Sequence, residues 1–80
     1  MSVMEVRVKL VSTFRKYQDT LKGDIAHVEK GSTVRDLALK IGLPLKYLKL
    51  TAVNGKQTDL DFPLSNGDTV YFFPPAIGGG

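Results

Sequence analysis

The fold is decided by the stretch at residues 66–80, which reads NGDTVYFFPPAIGGG. Its alternating part, residues 69–73, predicts a strand whose successive side chains point to opposite faces of a sheet. Pro74 and Pro75 have no N–H donor and a fixed φ, so neither can continue a strand in the middle of a sheet. We therefore predict that a strand at Thr69–Phe73 ends where two prolines hold the chain extended and direct it away from the body of the domain.

The segment after the prolines is Ala76-Ile77 followed by the glycines Gly78 to Gly80. Glycine has no Cβ, so such a segment can enter a narrow channel in another protein. The α-carboxylate that follows is ionised at neutral pH. We expect a domain at residues 1–75 that presents this carboxylate on a flexible tail at residues 76–80. The alternative is a frayed end or an expression scar.

The two faces of the last strand have different predicted roles. Val70 and Phe72 face the core, so Tyr71 and Phe73 lie on the opposite face, next to the tail. Exposed aromatic side chains beside such a tail suggest a contact surface for a partner protein. The alternative is that a loop covers them.

The beginning of the chain predicts a hairpin. The strand at Val3–Leu10 alternates between charged residues and the apolar residues Met4, Val6, Val8 and Leu10. Ser12–Tyr17 breaks the alternation and predicts a helical turn or loop, with two aromatic rings closing one end of the core. The polar segment Gln18–Asp24 predicts a turn, and Ile25–Glu29 predicts a second strand.

One amphipathic helix is predicted between Gly31 and Gly42. Apolar residues recur at helical spacing and form one face: Val34, Leu37, Ala38 and Ile41. Thr33 can cap the N-terminus, with Asp36 as its capping-box partner three residues later. Gly42 suits a left-handed residue after the helix, and Pro44 prevents the helix from continuing.

The second half of the chain predicts short strands and turns. A turn at Leu45–Leu48 precedes a strand at Leu50–Val53, and Asn54-Gly55 is a turn signal before a returning strand at Lys56–Thr58. The segment Asp59–Leu64 predicts a loop with three apolar anchors: Leu60, Phe62 and Leu64.

This order of elements predicts a two-layer α+β domain. One helix face needs an apolar surface, and the sheet is the only candidate. The first and last strands are the most apolar, so we expect them to be neighbours in the middle of a mixed sheet of four to five strands. This is the β-grasp arrangement.

Composition excludes several classes of protein. Eighty residues, 42% hydrophobic and 24% charged, suit one globular domain. No apolar run has the length of a membrane span, no secretory signal is predicted, and no cysteine is present, so we expect a cytoplasmic protein. The net charge of +3 is small and the lysines are dispersed along the chain, so the charge does not favour a nucleic-acid or membrane partner.

Three lysines near the end of the predicted helix have two interpretations. Lys40, Lys46 and Lys49 complement the helix dipole or contact an acidic partner.

No residue combination predicts a metal site. His27 has no second ligand at a suitable spacing and is interpreted as a strand or surface histidine. Asp59, Asp61 and Asp68 lack the spacing of a calcium loop and are interpreted as turn and solubility residues.

Residues 66–75, followed by a terminal Gly-Gly, resemble the end of the MoaD/ThiS family of ubiquitin-like sulfur carriers. The resemblance also includes Phe14-Arg15, residues 33–37 (Thr-Val-Arg-Asp-Leu) and residues 53–56 (Val-Asn-Gly-Lys), so it covers essentially the whole chain. The Phe-Pro-Pro run at residues 73–75 is more similar to MoaD than to ThiS.

The resemblance implies chemistry at the C-terminus. The terminal glycine, Gly79 or Gly80, would be adenylated and then converted to a thiocarboxylate that donates sulfur in molybdenum cofactor biosynthesis. The implied partner-binding residues are Tyr71, Phe73, Pro74, Pro75, Ala76, Ile77 and Gly78. The chain would bind no cofactor or metal and would not be catalytic alone, because ATP-Mg is used by the activating partner.

The implied partners are proteins. One is an adenylyltransferase of the ubiquitin-activating class, similar to MoeB or ThiF. The other is the large, MoaE-like subunit of molybdopterin synthase, of which this chain would be the small subunit.

The ending departs from the family pattern, in which two glycines follow two variable residues. Here Ala76-Ile77 is followed by three glycines, so we assign the reactive carboxylate jointly to Gly79 and Gly80. Gly80 is then native, trimmed or an added residue. Three alternatives stay open: a protein modifier conjugated through its C-terminal glycine, a ThiS-like carrier for thiamine thiazole synthesis, and a β-grasp interaction module with an inert tail.

Overall fold

The computed structural model describes residues 2–21, 23–48 and 50–74. The predicted tail at 76–80, together with Pro75 and Lys49, lies outside these ranges. Within them the elements are, in chain order, β1 (Val3–Leu10), a first 3₁₀ helix (Ser12–Thr20), β2 (Ile25–Glu29), α1 (Val34–Ile41), a second 3₁₀ helix (Leu45–Tyr47), β3 (Leu50–Val53), β4 (Lys56–Thr58) and β5 (Thr69–Phe73).

The strands form a single mixed sheet in the order β2-β1-β5-β3-β4. The central pair, β1 and β5, is parallel, with Arg7 opposite Thr69 and Leu10 opposite Phe72. The remaining pairs are antiparallel. This arrangement confirms the predicted β-grasp fold and the predicted central position of the first and last strands.

Alternation along β1 and β5 separates a buried face of the sheet from an outer face. On β1 the even-numbered residues from Met4 to Leu10 are buried, whereas Glu5 and Arg7 are exposed and Lys9 is half-buried. On β5 Val70 and Phe72 are completely buried. The faces predicted from the sequence are therefore confirmed on both central strands.

The helix α1 is set by its two caps. The Thr33 hydroxyl accepts a hydrogen bond from the Asp36 N–H at 3.3 Å, and the Asp36 carboxylate accepts one from the Thr33 N–H at 2.9 Å. Gly42 ends the helix in the left-handed region at φ 94°. The predicted cap at Thr33 is confirmed, since the helix begins at Val34. Gly31, at the edge of the predicted segment, has φ 94° and lies before the helix.

The core lies between α1 and the inner face of the sheet. All four apolar positions of the helix are buried, as predicted, and they belong to one cluster with the inner side chains of β1 and β5. Phe14 from the first 3₁₀ helix is also in this cluster, and Tyr17 packs against it with its ring edge-to-face at 6.2 Å from Phe14. The predicted closure of the core by these two rings is confirmed.

The first 3₁₀ helix continues to Thr20, beyond the predicted end at Tyr17. The segment expected to be a turn from Gln18 onwards is therefore partly helical. The Gln18 side-chain amide donates to the carbonyl of Gly23 at 3.2 Å, so it bridges the end of this helix and the connection to β2. Such a contact between side chain and backbone is not visible in the polar composition from which the turn was predicted.

The loop at 59–64 differs from prediction at one anchor. Leu64 is buried and Leu60 packs against the core, but Phe62 is 38% exposed. The loop is fixed by its main chain instead, because the carbonyls of Phe62 and Leu60 accept hydrogen bonds from the N–H groups of Val34 and Arg35. None of the helices in the described ranges has the length and apolar character needed to span a bilayer.

Replacement of Leu37 by Ala tests the packing of α1 on the sheet. Leu37 is completely buried, so Leu37→Ala should lower the free energy of unfolding by about 2–5 kcal/mol. The matched control is Leu39→Ala on the same helix, because Leu39 is 57% exposed. Its effect should stay within about 0.5 kcal/mol. Equal losses for the two variants in urea denaturation would contradict this assignment of the core.

Candidate functional site

The candidate site surrounds the point at which β5 ends. Phe73 is the last residue of β5 and is paired with Leu50 on β3. Pro74 follows outside the strand and is half-buried. Because β5 is the central strand, the segment that follows Pro74 begins at the middle of one end of the sheet.

Two aromatic rings lie on the outer face of the sheet beside this point. Tyr71 and Phe73 are both half-buried, and their rings stack at a centroid distance of 6.1 Å and an interplanar angle of 10°. Leu50, which is 39% exposed, is the strand neighbour of Phe73. We call Tyr71 and Phe73 the outer aromatic pair. It is the apolar surface that alternation predicted next to the tail.

A cluster of ion pairs borders the outer aromatic pair. The Lys9 ammonium lies 2.7 Å from one carboxylate oxygen of Asp24, and the Arg7 guanidinium lies 3.5 Å from the other. Lys9 is the strand neighbour of Tyr71, and Asp24 lines a shallow cavity together with Tyr71. The hydrogen bond from Lys9 lowers the pKa of Asp24 below its usual value, although desolvation acts in the opposite direction. The loop before β2 thus flanks Tyr71 without burying it.

A second apolar surface lies on the other side of Pro74. It is a groove of about 370 Å³ that we call the tail-base groove, and it is lined by Thr13, Phe14, Lys16, Tyr17, Pro44, Tyr47 and Pro74. Tyr47 is 46% exposed and is the last residue of the second 3₁₀ helix. The N–H of Tyr47 donates a hydrogen bond to the carbonyl of Pro44 at 3.0 Å, which closes this helix.

Two lysine side chains lie over the tyrosines of the tail-base groove. The Lys16 ammonium is 5.5 Å from the centroid of the Tyr17 ring, and the Lys46 ammonium is 5.1 Å from that of Tyr47. Both separations are within the range of a cation–π contact. The sequence interpretation identified Lys46 as a possible partner contact, but it missed the groove, because Pro44 and Tyr47 are distant from Phe14 and Pro74 in the chain.

The opposite end of β5 is fixed by polar contacts. The buried Asp68 carboxylate accepts hydrogen bonds from the Asn54 amide and from the N–H of Ser65, both at 2.8 Å. Asn54 in turn accepts a hydrogen bond from the Thr69 N–H at 3.0 Å. Asp68 is therefore a turn residue, as predicted, but the prediction that it serves solubility was wrong, because it is buried.

The other candidate residues, Asp59, Asp61 and His27, contact neighbouring groups of the same chain. Asp59 accepts a hydrogen bond from the N–H of Asp61, and Asp61 pairs with Arg35 at 3.0 Å. His27 lies on the outer face at 3.5 Å from Glu5, with its side chain 63% exposed, so it is a surface histidine. In the ranges that the structure describes, no group of three or more His, Asp or Glu residues is placed to hold a metal ion.

The structure therefore places three of the predicted partner-binding residues together: Tyr71, Phe73 and Pro74. The others, which are Pro75, Ala76, Ile77 and Gly78, lie outside the described residues, as do Gly79 and Gly80. The described part offers a folded base with apolar surface on both sides of Pro74.

Comparison with known proteins gives a family and a fold. The model of the TGS domain matches residues 20–73, about two thirds of the chain. No curated protein matches the sequence significantly.

Solved structures of three archaeal proteins are similar to this chain. The solution structure of HVO 2177 from Haloferax volcanii superimposes with a TM-score of 0.73 at 24% identity, over 96% of this chain and 88% of that one. A Pyrococcus furiosus protein named as a candidate molybdopterin converting factor, subunit 1, has a TM-score of 0.64 at 29% identity, over 91% of this chain and 99% of that one. The crystal structure of SAMP1 from Haloferax volcanii has a TM-score of 0.61 at 20% identity, over 94% of this chain and 99% of that one. These likenesses agree with the ubiquitin-like β-grasp fold.

Removal of the Lys9 side-chain charge tests the electrostatics beside the outer aromatic pair. In the variant Lys9→Met, the pKa of Asp24 should rise towards its usual value of 3.8, because the first cause of its lowering is removed. A carboxyl group with a lowered folded-state pKa contributes stability above its unfolded pKa and loses it as the pH falls through the folded pKa. The variant should therefore show a weaker loss of stability on acidification below pH 3.8.

The pKa of Asp24 can be measured by NMR titration of its side-chain carboxyl carbon. Lys56→Met is the matched control, because Lys56 is exposed and makes none of the ion pairs in the described ranges. An unchanged Asp24 titration in Lys9→Met would show that Lys9 does not set this pKa.

Proposed function

The chain belongs to the TGS domain family, and we propose that it is a ubiquitin-like sulfur carrier activated at its C-terminal glycine. The observation that carries the proposal is the position of Pro74. It follows the central strand directly, lies between the outer aromatic pair and the tail-base groove, and leads into the sequence Pro-Ala-Ile-Gly-Gly-Gly. An apolar base next to a segment that ends in glycines suits a protein whose terminus is bound by a partner.

The proposed chemistry requires only a carboxylate from this chain. An oxygen of the Gly80 or Gly79 carboxylate attacks the α-phosphorus of ATP, and the bond to pyrophosphate breaks. Hydrosulfide (HS⁻) then attacks the carbonyl carbon of the acyl-adenylate, AMP leaves with the electrons of the broken C–O bond, and loss of the S–H proton gives the thiocarboxylate. The glycines at 78–80 leave the carbonyl accessible, because they place no side chain beside it. ATP-Mg and the sulfur donor belong to the activating partner.

We further propose that the sulfur serves molybdopterin synthesis in the cytoplasm. The support is the 29% identity with the Pyrococcus furiosus protein, which extends over 99% of that chain. The partners would then be a MoeB- or ThiF-like adenylyltransferase and a MoaE-like large subunit of molybdopterin synthase, which would perform catalysis. A ThiS-like role in thiamine thiazole synthesis would use the same activated carboxylate with a different acceptor.

Intact mass spectrometry tests the proposal directly. The full chain is incubated with ATP-Mg, a sulfide source and the purified activating enzyme of the same organism. We expect the acyl-adenylate first and then a species whose mass corresponds to one oxygen replaced by sulfur. The proposed function would be refuted if the chain formed neither the acyl-adenylate nor the thiocarboxylate with an activating enzyme that is shown to be active on another carrier protein.

The second candidate function is protein modification, which fits the same terminal chemistry. Its support is the fold shared with SAMP1. A modifier would form isopeptide bonds between its last glycine and lysines of other proteins, whereas a carrier would accumulate the thiocarboxylate. Peptide sequencing of conjugates from the native organism distinguishes these two outcomes.

Deletion of Gly79 and Gly80 tests the role of the terminus. The carboxylate would retreat by at most about 7 Å, so adenylation should be abolished. The melting temperature should hardly change, because terminal residues make few stabilising contacts. Adenylation of the truncated chain at a normal rate would contradict the proposal.

Deletion of Gly80 alone distinguishes the two possible endings. Retained or improved adenylation would identify Gly79 as the working terminus, and loss would identify Gly80. The matched variant is Gly79→Leu in the full chain, whose side chain should block entry into a narrow channel of the activating enzyme. Both variants are assayed by pyrophosphate release.

The charge substitution Phe73→Glu tests the outer aromatic pair as a contact surface. Because Phe73 is half-buried at the end of β5, the fold should persist while affinity for the activating enzyme or the large synthase subunit falls about tenfold or more. Val3→Glu is the matched control. Val3 also lies on the outer face of the sheet and is 62% exposed, but it is at the start of β1, remote from Phe73. Equal affinities of both variants by calorimetric titration would argue against an interface at Phe73.

A further inference from the structure

We propose that the tail-base groove is a second docking point for the activating enzyme, and that it accepts an apolar side chain flanked by carboxylates. This inference rests on the proposed function, because it names how the same partner is held. It concerns a surface separate from the outer aromatic pair, since the groove is built from the two 3₁₀ helices and Pro74 and not from the outer face of the sheet.

The lining of the groove favours an apolar occupant. Phe14 forms part of the core, Tyr17 packs against it, and Tyr47 is 46% exposed without belonging to the core. Pro44 and Pro74 add half-buried rings without N–H donors. A volume of about 370 Å³ lies within the usual range of small binding sites, which are lined mainly by hydrophobic and aromatic side chains.

The charges around the groove favour an acidic border on the occupant. Lys16 and Lys46 take part in none of the ion pairs in the described ranges, and their ammonium groups lie over the tyrosine rings. Arg15 and Asp19, on the same 3₁₀ helix as Lys16, are both exposed. On the outer face, by contrast, Lys9 shares the carboxylate of Asp24 with Arg7. Unlike Lys9 and Arg7, Lys16 and Lys46 can therefore pair with carboxylates of a partner that binds the groove.

The position of the groove selects the activating enzyme as the occupant. Pro74 forms part of its lining and is followed in the chain by Pro75 and the predicted tail. A protein that binds the chain directly after Pro74 is therefore adjacent to this groove. Contact on both sides of Pro74 would fix the direction in which the tail enters the enzyme, which reduces the entropy lost on ordering it.

Two other occupants fit less well. Residues 75–80 offer one large apolar side chain, Ile77, and only one carboxylate, the α-carboxylate of the last residue, to meet the two lysines. A second copy of the chain would bring two basic grooves together in a protein of net charge +3. Like charges placed opposite each other oppose such an association.

The test compares two charge-reversed double variants in binding to the purified activating enzyme of the same organism. Lys16→Glu with Lys46→Glu reverses the groove, and Lys30→Glu with Lys56→Glu reverses two exposed lysines elsewhere that also lack ion pairs. The groove variant should raise Kd about tenfold and weaken the salt dependence of binding, because favourable charge pairs become like-charge pairs. The control should change Kd less than about twofold.

A second pair of variants tests the apolar contact. Tyr47→Ala removes an exposed ring of the groove, and Phe62→Ala removes a similarly exposed ring outside it. Only Tyr47→Ala should weaken binding, and in adenylation assays its effect should appear in KM and not in kcat. Thermal unfolding of each variant establishes that it is folded.

The outcomes separate this inference from the proposed function. Adenylation of the unsubstituted chain together with unchanged affinity of the groove variants would overturn the inference alone. Absence of adenylation would overturn both. The inference also fails if deletion of residues 75–80 shifts the NMR signals of Tyr17 and Tyr47 in the absence of enzyme, since the tail would then occupy the groove. Dimers that disappear in the groove variant would assign the surface to a second copy instead.

Discussion

The parallel pairing of β1 with β5 is the constraint on which the rest of the molecule depends. Two parallel neighbours must be joined by a long crossover, and here everything between Leu10 and Thr69 serves as that connection. Because the two strands run in the same direction, their C-terminal ends lie at the same end of the sheet. The 3₁₀ helix that follows β1 and the proline that follows β5 are therefore brought together, and the tail-base groove is a direct consequence of the central pair.

The two ends of β5 have different physical characters. Its start is held by hydrogen bonds: Asp68 accepts from Asn54 and Ser65, the N–H of Arg7 donates to the Asp68 carbonyl, and the N–H of Gly67 donates to the carbonyl of Glu5. Its other end is surrounded by apolar rings and half-buried side chains. The hydrogen bonds from turn residues are thus concentrated at the end of β5 remote from Pro74. The end next to Pro74 instead presents apolar surface that a partner can contact.

Local patterns were sufficient to predict the elements, but not the surfaces formed between them. Alternation identified both central strands, and Thr33 and Asp36 identified the start of the helix, because these signals act within a few residues. Phe62 was expected to be buried because it is hydrophobic, but its side chain is partly exposed. The loop is held instead by the backbone carbonyl of Phe62, which accepts a hydrogen bond from the N–H of Val34. Composition does not reveal such a backbone contact. The groove required Phe14, Tyr47 and Pro74 to meet, and only the crossover brings such distant residues together.

Alternation at the end of β5 explains how one short run serves the core and two surfaces. Phe72 is completely buried, so it fixes the position of the strand against α1. Phe73 must then point to the outer face, where its ring stacks on Tyr71. Pro74 leaves the strand and contributes to the groove instead. A partner that binds on both sides of Pro74 contacts a base already ordered by the core, so little of its binding free energy is lost in ordering that base.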